Sequence, residues 1–183
     1  MPAVAVVSLS MGTVSIPFTQ IIQTLFATMG GGIENTQTSS IVLDIRLPRI
    51  ILALLVGAVL AVLGTVMQGL FRNPLADPSL IGVSGGASVG ASVVIVLVGG
   101  SVASPLAGLS LISFGAFIGG VISTLVVYRV ATSGMGTSVT TMLLAGIAIG
   151  AIAGAFNSLL SYFSDNQMLR QISVWQMGNL GGA

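Results

Sequence analysis

Few side chains in this sequence can do chemistry, and their types narrow what it can be. Arg46, Arg49, Arg72, Arg129 and Arg170 are its only cations, set against four carboxylates. There is no Lys, no His and no Cys. A His-based triad, a thiolate nucleophile and the usual zinc sites are therefore excluded. A P-loop needs its Lys, so hydrolysis of ATP cannot be the work of this chain. We expect no catalytic residue, no metal ligands and, at a net charge of +1, no affinity for nucleic acid.

What remains is recognition of charge. Arg46 and Arg49 flank Leu47-Pro48 and can face one side of a helix. Pro48 fits the first position of a helix, where its missing N–H costs nothing. A helix N-terminus disfavours cations, so two there point either to an anionic partner or to lipid headgroups reached by snorkelling. The second segment is Arg72-Asn73-Pro74-Leu75-Ala76-Asp77-Pro78-Ser79. Pro74 disfavours helix at Asn73, and Asp77 can cap a new helix with Pro78 at its first position. The spacing predicts a stiff turn. Arg129 suits a helix C-terminus, and Trp175 suits a membrane interface.

The elements that position these residues are apolar. Hydrophobic residues are 54% of the 183 and charged ones 5%, far below the roughly 25% of a soluble domain. The expected fold is all-α: a polytopic membrane bundle with four complete transmembrane helices and a truncated first one. The first span, about 50–71, is uncharged and about 33 Å long, enough to cross a hydrocarbon core of about 30 Å. The others fall at about 80–97, 105–128 and 138–163, with a Gly/Ser/Thr-rich link at 131–137. Residues 1–11 read as the remnant of a span. Residues 18–29 read as an interfacial helix, with Phe18, Ile21, Ile22, Leu25, Phe26 and Met29 on one face. Residues 30–40 read as a loop and 164–183 as a polar segment.

Small residues recur at four-residue spacing: Gly57/Ala61, Gly86/Gly90, Gly115/Gly119, Gly146/Gly150 and Gly150/Gly154. In lipid such pairs let helix backbones approach closely. Packing is the plainer reading of these glycines; a moving interface or a pathway along 146–154 is the other. No ionisable residue lies inside a span, which counts against a proton- or sodium-coupled carrier.

The run RLPRIILALLVGAVLAVLGTVMQGLFRNPLADPSLIGVSGGASVGA, Arg46 to Ala91, resembles the signature of FecCD-type permease subunits of ABC importers for iron-siderophores, haem and cobalamin. The stretches MLLAGIAIGA, Met142 to Ala151, and LRQISVWQMGNLGG, Leu169 to Gly182, agree with it. The resemblance is to the N-terminal half of a ten-helix permease lacking most of its first helix. It implies a second permease subunit, an ATP-binding subunit carrying the ATP and magnesium, an extracytoplasmic solute-binding protein, and a bacterial or archaeal cytoplasmic membrane. Residues 73–77 and 131–137 would then lie on the cytoplasmic side, with Arg46, Arg49 and the segment 164–183 outside. Arg46 and Arg49 would dock the binding protein. Asn73 and Leu75, with Ser138, Val139 and Thr140, would form the cytoplasmic gate, and the helix 138–163 would line the pathway. The rival expectations are an inactive structural remnant of such a permease and an ATP-independent channel or carrier.

Overall fold

The computed structural model describes residues 2–10, 14–29, 37–98, 105–134, 136–178 and 180. It is helical, and its contacts divide the chain into two units, Met1–Ala61 and Val62–Gly182. Residues 99–104, between the spans read at about 80–97 and 105–128, lie outside the described residues.

In the first unit, α1 (Pro2–Ser10) and α2 (Phe18–Met29) occupy the stretches read as a span remnant and an interfacial helix. Leu9, Ile16, Ile21 and Val42 form its buried cluster, with Ile41 and Ile50 packed against it. Two expectations are overturned here. Residues 37–40, read as loop, are helical (α3, Gln37–Ser40). They lead through a π-helical turn, Ile41–Arg46, into α4 (Leu47–Phe71). Pro48 therefore does not begin a helix. The Leu47 N–H donates to the carbonyl of Val42, a five-residue spacing that widens the ladder just before the proline. A proline inside a regular helix loses one hydrogen bond and presses its ring on the carbonyl four residues back; the widened turn makes room for it. The argument from cations at a helix N-terminus falls with it.

The second unit is a helix bundle. Its main elements are α5 (Val83–Val98), α6 (Pro105–Ala131), α7 (Val139–Tyr162) and α8 (Asn166–Gln176). Among the described residues three helical stretches are long and apolar enough to cross a membrane: Gln37–Phe71, Leu111–Ala131 and Val139–Tyr162. The reading at 80–97 corresponds to α5, which is shorter at 16 residues. The chain ahead of α5 forms a 3₁₀ turn, Pro78–Ile81, closed by Gly82 at φ 75°. That left-handed position favours glycine. Asp77 caps this turn, with Pro78 just inside it as its spacing suggested.

Glycines set how the bundle closes. A Cβ at Gly86 would collide with the Gly119 carbonyl, one at Gly90 with that of Gly115, and one at Gly119 with that of Gly86. At Gly115 it would strike Val94. So α5 and α6 run antiparallel, backbone against backbone, on two facing small-xxx-small pairs. Gly146 of α7 is equally closed, by the Leu80 carbonyl of the 3₁₀ turn. Gly85 lies near Gly150 and Ala153, so α5 and α7 run parallel. The other expected packing glycines behave differently. A Cβ at Gly57, Gly150 or Gly154 would meet nothing within 4 Å. Gly150 offers its own backbone, Cα and carbonyl oxygen, to the site of a Cβ on Gly85, and Gly57 lies on a stretch of α4 whose side chains are exposed. Four-residue spacing finds candidates, but each needs a backbone opposite it.

Candidate functional site

Two connections of the second unit emerge from one apolar cluster. Val127 and Ala131 at the end of α6 pack with Met142 of α7, and Phe71, Ile81, Ala145 and Ile149 close around them. Phe71 ends α4 and Ile81 ends the 3₁₀ turn, so the segment between them leaves and returns to this cluster. The strands β1 (Thr132–Ser133) and β2 (Gly136–Thr137) join α6 to α7 above the same cluster, Thr132 pairing with Thr137.

The first connection is built by its own polar groups. Arg72 closes α4 at φ 47°, a left-handed position usually given to glycine. The Arg72 N–H donates to the Gly69 carbonyl and the Asn73 N–H to that of Gln68, the hydrogen-bond pair of a Schellman cap. The Asn73 side-chain oxygen accepts the Leu75 N–H at 2.9 Å, and Ala76 donates back to the Asn73 carbonyl at 3.1 Å. Ala76 is buried, while Leu75 is 86% exposed. The turn thus anchors on an alanine and holds a leucine outward. Asp77 Oδ1 accepts the Ser79 N–H at 2.8 Å. Hydrogen bonds from the Ser79 side chain and then its backbone hold the Asp77 carboxyl below its ordinary range, against a small opposing effect of desolvation.

On the facing side, Ser138 caps α7. Its Oγ accepts the Thr141 N–H at 3.3 Å and lies 3.0 Å from the Thr141 hydroxyl, while its own N–H donates to the Ala131 carbonyl. Ser138, Val139 and Thr140 are all exposed. The two groups read as a gate, Asn73 with Leu75 and Ser138 to Thr140, therefore stand at the same end of the bundle on rigid, capped turns.

The arginine pair lies in the first unit, and its two members differ. Arg46 is half-buried, and its guanidinium donates through Nη1 to the Leu9 carbonyl and through Nη2 to the Val14 carbonyl. It fastens the end of α1 and the chain at Val14 to the π-helical turn. Arg49 is exposed on α4.

Sequence reasoning missed a polar group inside the bundle. The Ser92 hydroxyl donates to Asn157 Oδ1 at 2.7 Å, and Asn157 Nδ2 donates to the Ser88 hydroxyl at 3.0 Å, joining α5 to α7. Gln176, the last residue of α8, donates to the same Ser88 hydroxyl at 3.2 Å. The signal was available: Asn157 is the sole carboxamide in α7, and an amide in a span must find a partner. Helix α8 was missed too. Asp165 caps it by accepting the Met168 N–H at 2.8 Å, and Met168, Leu169, Ile172 and Trp175 recur at helical spacing along it.

No group of three or more His, Cys, Asp or Glu that could hold a metal occurs among the described residues. Long apolar spans, glycine-closed helix crossings and part-buried amide–hydroxyl pairs between helices define a multi-pass α-helical membrane protein. The FecCD transport family model matches residues 1–183, and the chain belongs to that family. It is 45% identical over 176 residues to the hemin transport system permease protein HmuU of Yersinia pestis, covering 96% of this chain and 49% of that one. It is 45% identical over 139 residues to the vitamin B12 import system permease protein BtuC of Escherichia coli, covering 76% of this chain and 40% of that one. A solved structure of a metal-chelate type ABC transporter in an inward-facing conformation superposes with a TM-score of 0.70 at 30% identity. That match covers all of this chain and 50% of the other. The chain thus spans about half the length of the relatives it matches.

Proposed function

We propose that this chain is part of the membrane permease of a binding-protein-dependent ABC importer, forming one portion of the pathway for an iron-siderophore or a related chelate such as haem or cobalamin. The observation that carries this reading is the similarity to HmuU over nearly the whole chain, in chain order and without a rearrangement. The chain does no chemistry in this reading. ATP and magnesium act on a separate ATP-binding subunit, and a second permease subunit and a solute-binding protein complete the assembly in a bacterial or archaeal cytoplasmic membrane.

Alternating access assigns a task to each turn. Asn73 and Leu75 on one side and Ser138, Val139 and Thr140 on the other form the cytoplasmic gate. The support is their common foundation: both turns rise from the Phe71–Val127–Met142 cluster, so a shift of α7 against α6 moves one relative to the other. Helix α7 carries no charge, which suits a bulky ligand passing with few fixed contacts. At the docking surface we assign the two arginines different tasks. Arg46 holds its own chain, and Arg49 meets an acidic residue of the binding protein, where such a pair sets register and encounter rate.

The test is co-expression with the ATP-binding subunit and binding protein of a haem or cobalamin importer whose permease is deleted. Co-purification with the ATP-binding subunit and ATP-dependent uptake of the chelate are the expected outcome. Uptake that persists with an ATPase-dead partner would identify a channel or carrier instead. Stable insertion with neither uptake nor co-purification would identify a structural remnant.

A further inference from the structure

Helix α8 is held in an unusual way. It begins just beyond the end of α7, after the turn at Phe163–Asp165, yet its last residue bonds to Ser88. Ser88 lies roughly 15 Å along the axis before the end of α5 at Val98. The helix therefore folds back along the bundle instead of leaving it. It does so with a polar surface: Asn166, Gln167, Arg170, Gln171 and Ser173 are exposed. Ile172, 4% exposed, is its one buried side chain. Gly178, at φ 77°, follows it closely.

The hydrogen bonds around Ser88 form two tiers. Ser92–Asn157 and Asn157–Ser88 are the shorter pair, and Ser92 is 2% exposed. They join α5 to α7 within the bundle. Gln176–Ser88 is longer, and Gln176 is exposed. Ser88 is thus the shared acceptor of a sheltered bond and an accessible one.

We propose that Ser88, Asn157 and Gln176 form a polar latch: Asn157 fixes the Ser88 hydroxyl in place, and Gln176 is the release point that lets α8 swing from α5 as a strap. The turn at Phe163–Asp165 and the left-handed Gly178 are its two hinges. Asn157 is a positioning residue in this arrangement, and Gln176 the moving contact. A single interhelical hydrogen bond in a bilayer is modest in strength, which suits a contact that must open as well as close. The latch is a property of the second unit alone and does not depend on the transport reading.

The chain has no cysteine, so one introduced thiol reports cleanly. Ile172→Cys, in lipid nanodiscs with no partner present, places the thiol under α8. Its rate of reaction with a small water-soluble thiosulfonate measures how often α8 lifts. Gln176→Ala in this background should raise the rate about three- to tenfold, the range that one interhelical hydrogen bond supports. Ser88→Ala should do the same, the double variant no more than either, and Ser88→Thr should restore the slow rate. A Leu75→Cys reporter, far from the latch and fully reachable, should label at one rate in every variant and so shows that the fold is intact. Labelling rates at position 172 within twofold of the parent would overturn the latch, leaving the packing of the side chain there as what holds α8. Multiplying effects of Gln176→Ala and Ser88→Ala would overturn it equally, because the two side chains would then act separately.

Discussion

Helix α4 and the α5–α6 pair are built from much the same residues: Leu, Val, Ala and Ile with glycines at intervals. Their environments are opposite. Along α4 from Ile51 to Leu63 every described side chain is exposed, whereas α5 and α6 touch through their backbones. Composition does not separate them, since both are largely apolar. The difference lies in whether a glycine finds another glycine across the interface. Gly86 faces Gly119 and Gly90 faces Gly115; Gly57 faces nothing. Without a hydrophobic drive between helices in lipid, this pairing decides which apolar helix closes on a neighbour and which presents its surface to the surrounding membrane or to other helices.

The contrast is broken most violently at Gly90. Gly90→Val puts a branched side chain where the Gly115 carbonyl now lies, and backbone cannot give way as a side chain does. A loss of about 3 kcal/mol or more is expected, at or above the top of the overpacking range. Thermal unfolding in detergent, followed by helical circular dichroism, should show the transition collapsing. The same change at Gly154 should shift it little. Equal sensitivity at both would mean that Gly154 meets a partner and that paired and unpaired glycines do not differ.

Next in size is the amide inside the bundle. Asn157→Leu removes a donor and an acceptor together; it takes the acceptor from the buried Ser92 hydroxyl, while Ser88 keeps Gln176. Interhelical hydrogen bonds in membranes are worth about 0.6 kcal/mol on average and up to about 1.7, so two of them predict a loss of about 1–3 kcal/mol. The effect should appear in the unfolding of α5 and α7 and leave α1 and α2 untouched. Among the described residues no buried side-chain polar atom lacks a partner, so this variant would create the first.

The first unit has its own sensitive point. Arg46→Ala should free the Leu9 and Val14 carbonyls and cost about 1–3 kcal/mol, the range for hydrogen bonds from a charged donor. Hydrogen exchange should rise in residues 2–10 and 14–16 while the second unit is unchanged. If Arg46→Ala weakens binding-protein docking without loosening α1, the clasp is wrong and the docking role of both arginines returns.

Much of this was legible in the sequence, and the failures share a cause. Periodicity at 18–29 and apolar length at about 105–128 and 138–163 fall where the structure has α2, α6 and α7, because helical pattern and apolar length are local properties of the chain. The cap at Asp77 was equally local. The reading failed where a residue's role depends on what stands across from it. Pro48 looked like a helix start because nothing in RLPR reveals that the preceding turn widens to admit it. Gly150 and Gly154 match the spacing of Gly146, yet only Gly146 meets the Leu80 carbonyl. Arg46 and Arg49 are the same residue type in one motif, and nothing in it shows that Arg46 is half-buried on the Leu9 and Val14 carbonyls while Arg49 is exposed. Asn157 was overlooked because a search for charge passes over amides.

The smallest effect has the opposite sign, and for that reason it tests the comparison most directly. Gly57 is in the interior of α4 with no atom in the path of a Cβ, so its lack of a side chain serves no contact among the described residues. Glycine in a helix interior costs roughly 0.5–1 kcal/mol relative to alanine, chiefly through the backbone entropy it loses. Gly57→Ala should therefore stabilise the isolated chain by about that amount. In a complex with permease partners the sign is expected to reverse if α4 lies against another helix there, because the added methyl would then occupy contact space. Thermal unfolding of the chain alone and of its complex with permease partners separates the cases. Stabilisation in both would mean that Gly57 lies toward lipid throughout. Stabilisation alone and destabilisation in the complex would place a partner helix on this face of α4. Destabilisation of the isolated chain would show that α4 is already packed at Gly57, and the contrast with α5 and α6 would fail.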